Sequence, residues 1–137
     1  MSAKFWSAGV LVGVLYFLLG WLVYGIIFAG IFAGEGTPGM RAVPIIWLIS
    51  LASLSYGLLM SYTFPIGYKG GRATREGMRF GILFALIVNL PTIFFMGAMY
   101  EHATFATSVL TLIIELIIGA ALGVVTARIY GSSLKSA

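Results

Sequence analysis

A single carboxylate, Glu115, lies in the middle of a long apolar run and constrains what this chain can fold into. The run extends from Phe105 to Tyr130 and holds no other acidic or basic residue before Arg128. About 20 apolar residues are enough to cross the hydrocarbon core of a bilayer as a helix. At about 1.5 Å of rise per residue, Glu115 would lie roughly 15 Å along that helix, near the middle of a membrane.

A charge at that depth costs about 2.5–3.5 kcal/mol on insertion scales. We therefore expect Glu115 to be protonated, paired with a neighbour, or turned toward a polar interior. In the functional interpretation it binds a proton or a cation, or anchors a ligand pocket. In the structural interpretation it is hydrogen-bonded across helices and holds the bundle together. The sequence leaves both open.

Composition places the whole chain in a membrane. Of its 137 residues 61% are hydrophobic and only 9% are charged, whereas soluble proteins carry about 25% charged residues. Short connections separate the apolar segments, so consecutive helices should be antiparallel neighbours. We predict an all-α, integral membrane four-helix bundle forming one domain, residues 1–137, with helices at about 7–33, 43–65, 77–100 and 105–130.

The first segment could also be a signal peptide, because Lys4 precedes an apolar run. That run continues to Ala33 and is far longer than a hydrophobic signal region of about 7–15 residues. The residues before Gly34 also make a poor cleavage site. We expect a retained membrane helix.

The basic residues predict the orientation of the bundle. Of the eight Lys and Arg residues, only Arg41 lies on the opposite set of flanks from the rest. The positive-inside rule then places both termini and the second connection in the cytoplasm, which predicts a multi-pass protein of the inner (plasma) membrane. The basic flanks hold Lys4, Lys69, Arg72, Arg75, Arg79, Arg128 and Lys135.

The basic connection invites a second interpretation. Glycine amides and cations suit phosphate, but Lys69-Gly70-Gly71-Arg72 does not match a Walker-type loop. We expect these residues to contact anionic lipid head groups, at Lys69, Arg72, Arg75 and Arg79. Nucleic acid is not an expected partner, because the charge lies at the ends of apolar segments.

Each apolar segment carries a stripe of small or polar residues at spacings of three and four, which keeps the stripe on one helix face. Membrane helices pack through such faces, so the stripes should meet inside the bundle. Among the residues of these stripes, those near the middle of the membrane should lie together as a polar cluster. We predict a ligand- or proton-binding site built from Glu115, Asn89, Ser53 and Tyr24, with Thr111, Thr92 and Tyr56 as further candidates.

Glycine pairs in the first and third segments hint at an internal duplication. Gly9-x-x-x-Gly13 and Gly77-x-x-x-Gly81 open the two segments 68 residues apart. A parallel repeat of two hairpins would produce this spacing. Packing within the bundle explains the same pairs, and a homodimer seam is a second explanation.

The sequence gives little support to a catalytic site or a metal-binding site. The chain has no Cys and no Asp, and its one histidine is His102. A Ser–His–Asp set, a cysteine site and a pair of haem-binding histidines within one chain are therefore excluded. We expect neither an enzyme nor a metal or cofactor site.

Three parts of the sequence resemble a known class of proteins. Leu19-Gly20-Trp21-Leu22-Val23-Tyr24-Gly25, the glycine-rich start of the third helix and Gly119-x-x-x-Gly123 together resemble small four-helix bacterial inner-membrane proteins classed as domains of unknown function. The resemblance implies a bacterial four-helix bundle and carries over no functional residue. In size and in its single intramembrane glutamate the chain is also similar to small multidrug-resistance transporters. Their glutamate is in the first helix, however, so their mechanism is not transferred.

Two functions follow as hypotheses. The first is a small binding or transport protein, in which Glu115 and Asn89 line an intramembrane site for a proton and a small lipophilic or cationic ligand. The second is an accessory or scaffold subunit of a larger membrane complex, with Glu115 as an interhelical hydrogen-bond partner. Membrane lipids, a second copy of the chain and another membrane protein are the candidate partners.

Overall fold

The long apolar runs fold into long helices, because a helix satisfies its backbone hydrogen bonds internally. A computed structural model describes residues 3–32, 43–101 and 103–134, with side chains up to residue 130. Within these residues the chain is helical and contains no strand. The elements are α1 (Ala3–Leu22), a π-helical segment (Val23–Ile27), α2 (Ala29–Phe32), α3 (Ile46–Gly67), α4 (Ala73–Met99) and α5 (Phe105–Leu134).

The helical class and the membrane-spanning lengths agree with the sequence prediction. Four helical segments of the described residues are long and apolar enough to cross a membrane. The first combines α1 with the π-helical segment, and the other three are formed by α3, α4 and α5. Their ranges are Ala3–Ile27, Ile46–Gly67, Ala73–Met99 and Phe105–Tyr130.

The bounds of all four spans differ by a few residues from the predicted segments; α3 begins three residues later, and α5 continues four residues farther, to Leu134. The first predicted segment is interrupted by the π-helical turn, in which Phe28 N–H donates to the carbonyl of Val23, five residues earlier, at 2.9 Å. α4 begins four residues before the predicted start, after an extended Arg72. Its first turn therefore includes Arg75 and Glu76, which favour helix as much as the apolar residues do. It also continues through Pro91 to Met99.

Two helix pairs form the most extensive interfaces, α1 with α3 and α4 with α5. In the first pair the backbones meet at glycine. A Cβ on Gly57 of α3 would overlap the carbonyl oxygen of Gly9 and the amide nitrogen of Gly13 in α1. Such close backbone approach increases the van der Waals contact between the two helices and stabilises the pair.

The α4–α5 pair repeats this contact. A Cβ on Gly123 of α5 would overlap the carbonyl oxygen of Gly77 and the amide nitrogen of Gly81. The same atoms of the equivalent residues meet Gly57 in the first pair. This correspondence supports the predicted duplication into two hairpins. α5 also packs against α1, which joins the hairpins into one bundle.

A second set of contacts closes one end of the bundle. We call the end that holds the α3–α4 connection the basic end and the opposite one the far end. Near the basic end, the hydroxyl of Ser61 donates to the carbonyl of Phe5 at 3.0 Å and lies 3.1 Å from the hydroxyl of Tyr130. These bonds tie α1, α3 and α5 together. The apolar core between them includes Ala8, Phe64 and Ala127.

The glycine contacts predict the effect of adding one methyl group. We expect Gly81→Ala to lower the free energy of unfolding by about 1–3 kcal/mol, because its Cβ would overlap the backbone of Gly119. Gly20→Ala is the matched control, since its Cβ would meet nothing within 4 Å. It should be neutral or stabilising by about 0.5–1 kcal/mol. Thermal unfolding in detergent checks both. Equal effects of the two substitutions would contradict the packing described here.

Candidate functional site

Glu115 lies on the face of α5 that packs into the bundle. Its residue is only 5% exposed, and Ile114, Ile118 and Leu122 of the same helix are buried beside it. A buried polar group without hydrogen-bond partners would cost roughly 1–3 kcal/mol, and more if charged. The partners of this carboxylate come from two other helical segments.

Two tyrosines of the first span hold the carboxylate from opposite sides. The hydroxyl of Tyr24 donates to Oε1 of Glu115 at 2.8 Å, and the hydroxyl of Tyr16 donates to Oε2 at 3.1 Å. They lie eight residues apart, or about 12 Å along a helix axis. Their long side chains therefore converge on the carboxylate from its basic-end and far-end sides.

Tyr24 is the second residue of the π-helical segment Val23–Ile27. In a regular α-helix, residue 24 would lie about 80° around the axis from residue 16. A π-turn changes the angle between successive side chains, so the two tyrosines reach the same carboxylate across an irregular stretch of the first span.

The third donor comes from α4. The side-chain amide of Asn89 donates to Oε2 of Glu115 at 3.5 Å and to the carbonyl of Ala85, one turn earlier, at 3.0 Å. The antiparallel glycine contact fixes this pairing. Gly119 meets Gly81 and Ala85, so one turn farther along each helix Glu115 lies opposite Asn89.

All of these neighbours act as donors. An ionised carboxylate accepts hydrogen bonds and donates none, so the two tyrosine hydroxyls and the asparagine amide suit its charged form. Hydrogen bonds to an ionised group are roughly twice as strong as neutral ones. These bonds would offset part of the cost of a negative charge inside an apolar bundle.

The carboxylate borders a cavity of about 660 Å³. The cavity lies between the far-end half of the first span and the start of α3, beyond the tight glycine contact of the α1–α3 pair. Among the described residues around it, Glu115 is the only charged one. The lining consists of Tyr16, Phe17, Gly20, Trp21, Tyr24, Gly25, Phe32, Pro44, Ile46, Ile49, Ser53 and Glu115.

The structure distributes the predicted site residues unevenly. Tyr24 and Asn89 bond to Glu115 as described, and Ser53 is buried and lines the cavity. Thr92 and Thr111 instead donate to carbonyls of their own helices, at Val88 and Thr107. These two hydroxyls therefore form hydrogen bonds within their own helices, α4 and α5, as is usual for Thr in an apolar helix.

Tyr56 is a neighbour of the cluster. Its ring stacks on Tyr16 with centroids 4.1 Å apart and meets the edge of Phe84 at 5.0 Å. Its buried hydroxyl has no hydrogen-bond partner among the described residues. Tyr56 thus positions the ring of Tyr16, whose hydroxyl reaches Glu115.

Sequence reasoning did not select Tyr16 or the aromatic lining of the cavity. Tyr16 belongs to the small-residue stripe of the first segment, together with Gly13 and Gly20, so the stripe was the available signal. The predicted depth in the membrane indicated Tyr24. Tyr16 lies eight residues earlier and reaches Glu115 through the length of its side chain. Trp21 also lines the cavity and is 64% exposed.

The predicted lipid-binding residues lie together at the basic end. Arg72, Arg75 and Arg79 line a second concavity on α4, and Lys69 is exposed nearby but does not line it. Within the described ranges, no three His, Cys, Asp or Glu side chains are grouped as metal ligands would be.

Comparison with protein-family models, with curated proteins and with solved structures found no match to this chain. The functional argument therefore rests on the geometry around Glu115.

The hydrogen bonds predict a measurable coupling. We expect Tyr24→Phe to lower the free energy of unfolding by about 1–2 kcal/mol, because it leaves an oxygen of a buried carboxylate without a donor. In a double-mutant cycle with Glu115→Leu, which removes both acceptor oxygens, the two losses should not add, because each substitution abolishes the same bond. Exposed Tyr62 supplies the control, and Tyr62→Phe should change stability little. Additive effects of Tyr24→Phe and Glu115→Leu would contradict the bond.

Proposed function

We propose that this is a small integral membrane protein that binds or transports a small ligand at Glu115. The observation that carries the proposal is the position of the carboxylate. It is held by donors from the first span and from α4, and it borders a cavity large enough for a small organic molecule. A carboxylate that served only to join helices would need no adjacent cavity.

We propose further that all four long helices span the membrane, with both termini and the α3–α4 connection in the cytoplasm. The distribution of basic residues supports this orientation. By its resemblance to bacterial inner-membrane proteins, the plasma membrane is the proposed location.

The orientation can be tested because the natural chain has no cysteine. Single cysteines introduced as Lys69→Cys and Glu101→Cys should report opposite sides of the membrane. In sealed cells a membrane-impermeant maleimide should label Glu101→Cys, and it should label Lys69→Cys only after permeabilisation. The reverse pattern would overturn the orientation, and equal labelling of both in sealed cells would argue against the topology.

The cavity lining favours a lipophilic cation as the ligand. The aromatic residues Tyr16, Trp21 and Phe32 belong to its lining, and no Lys or Arg is among its described lining residues. A cation over an aromatic face gains about 0.5–2 kcal/mol, more when water is excluded. The carboxylate adds an attraction that is strong because the surroundings are apolar. A neutral or anionic molecule of the same shape would gain neither term.

A proton and a cation would compete for the same group. Protonation of Glu115 removes its charge, so cation binding should weaken as the pH falls. The titratable side chains around the carboxylate are Tyr16, Tyr24 and Tyr56; Asn89 is uncharged. Tyrosines stay neutral in the physiological range, so the pH response would belong to Glu115. Alternating binding of proton and ligand is the basis of the transport form of the proposal.

The second candidate is an accessory or scaffold subunit of a larger complex. The observation in its favour is that the hydrogen bonds of Glu115 join three spans, as an interhelical anchor would. It differs from the first candidate in what happens when the charge is removed.

Glu115→Gln should separate the two. The amide has the shape of the carboxylate without its charge, so we expect the helical fold to persist. Binding of a tetraarylphosphonium cation should weaken by about tenfold or more, because the charge–charge attraction is lost. Binding by the natural protein should also fall at low pH, while any residual binding by the variant should not. Equilibrium dialysis in detergent measures both.

Glu101→Gln is the matched control, since Glu101 is exposed and lies outside the cavity. It should bind the cation as the natural protein does. A tetraarylborate anion of the same shape should bind weakly to all three proteins. If Glu115→Gln unfolds the bundle, or if cation and anion bind equally, the proposed site is wrong and the structural role of Glu115 is favoured.

A further inference from the structure

A concavity of about 720 Å³ lies on the surface of α4 at the basic end. Three arginines line it, and all belong to one helix face or its edge, at spacings of three and four residues. A hydroxyl and two apolar side chains complete the lining. The full set is Arg72, Thr74, Arg75, Met78, Arg79 and Ile82.

This surface, the arginine groove, points away from the rest of the bundle. Gly77 of α4 is buried against Gly123 and Ala127 of α5. Residues two positions away on a helix lie about 200° around its axis. Arg75 and Arg79 therefore face the side opposite α5, where a membrane protein meets lipid.

The groove carries more positive than negative charge. Glu76 is the only acidic residue in this part of the sequence. In the described part of the chain, neither it nor any other carboxylate forms an ion pair with the arginines of the groove, and Arg75 and Arg79 are exposed. Three guanidinium groups close together repel one another, so an anion bound among them would relieve that repulsion.

The polarity of the groove lining changes along the helix. Arg72 and Arg75 lie at its start, Met78 and Arg79 are adjacent in the next turn, and Ile82 lies farthest toward the middle of the span. An anionic head group beside the guanidinium groups would place its acyl chain against these apolar side chains. A free phosphate would use only the first half of this surface. A surface that is charged at one end and apolar at the other matches a phospholipid, which has a charged head group and apolar acyl chains.

We propose that the arginine groove binds an anionic phospholipid and prefers one that carries two phosphates. Arg72 and Arg79 are seven residues apart, or about 10 Å along the helix axis. Two phosphates joined by a glycerol would contact more of the three guanidinium groups along that length than a single phosphate would. Arginine also pairs with phosphate through two parallel hydrogen bonds, which lysine cannot do. The proposal is independent of the function assigned to Glu115.

Native mass spectrometry of the full chain in a gentle detergent tests the proposal. The protein is mixed with cardiolipin, phosphatidylglycerol or phosphatidylcholine, and the lipid-bound fraction is measured. We expect cardiolipin to bind more tightly than phosphatidylglycerol, and phosphatidylcholine to bind least. Equal binding of the three lipids would overturn the proposal. An excess of inorganic phosphate should not displace cardiolipin; if it does, the site recognises phosphate and not a lipid.

A charge-matched pair of variants locates the site. Arg75→Gln with Arg79→Gln should weaken cardiolipin binding by roughly thirtyfold, at about 1 kcal/mol for each basic residue. Two single variants supply the matched control, because Arg128→Gln removes one charge from an exposed position outside the groove, as Arg79→Gln does within it. Arg128→Gln should change binding only slightly, whereas Arg79→Gln should weaken it by about fivefold. Equal losses in these two single variants would show a diffuse electrostatic attraction and overturn the proposal.

A conservative variant keeps the test valid if the glutamine substitutions disturb folding. Arg75→Lys with Arg79→Lys preserves the charge and removes the paired hydrogen bonds. We expect it to bind cardiolipin less tightly than the natural protein and to lose most of the preference over phosphatidylglycerol. An unchanged preference would show that the guanidinium groups of the groove do not recognise the second phosphate.

Discussion

A carboxylate buried in a bundle this apolar requires hydrogen-bond donors, and the chain supplies them from helices other than its own. Tyr16 and Tyr24 reach Glu115 from the first span and Asn89 reaches it from α4. Losing any of these donors leaves part of a buried polar group unsatisfied, which is costly. The positions of three spans are thus linked through one side chain.

The glycine contacts set the distances between the helices, and these distances determine whether the donors reach Glu115. Gly119 of α5 lies against Gly81 and Ala85 of α4, and in the other hairpin Gly57 lies against Gly13. Larger residues at these crossings would separate the backbones and lengthen the bonds to the carboxylate. In the α1–α3 pair the tight contact is confined to the basic-end half of the helices. The cavity beside Glu115 lies in the other half, so the packing that closes the bundle at one end leaves space at the far end.

Much of this arrangement could be predicted from the sequence. The long apolar runs indicate the helices, and the stripes at spacings of three and four indicate their inner faces. Aligning the stripes of α4 and α5 antiparallel by their glycines even places Asn89 opposite Glu115. The π-helical turn could not be predicted, because no proline or charge marks it and it depends on tertiary contacts. Without it, the position of Tyr24 is uncertain by part of a turn. Tyr16 required knowledge of side-chain reach, which residue spacing alone does not provide.

The account depends on Glu115 being a binding group rather than only a link between helices. Native mass spectrometry of the protein released from its source membrane in a gentle detergent tests this most directly. We expect a monomer or dimer that carries a reproducible small adduct, and we expect Glu115→Gln to lose the adduct while remaining folded. A stable assembly with other polypeptides and no small adduct would contradict the account and assign Glu115 to interhelical bonding in an accessory subunit.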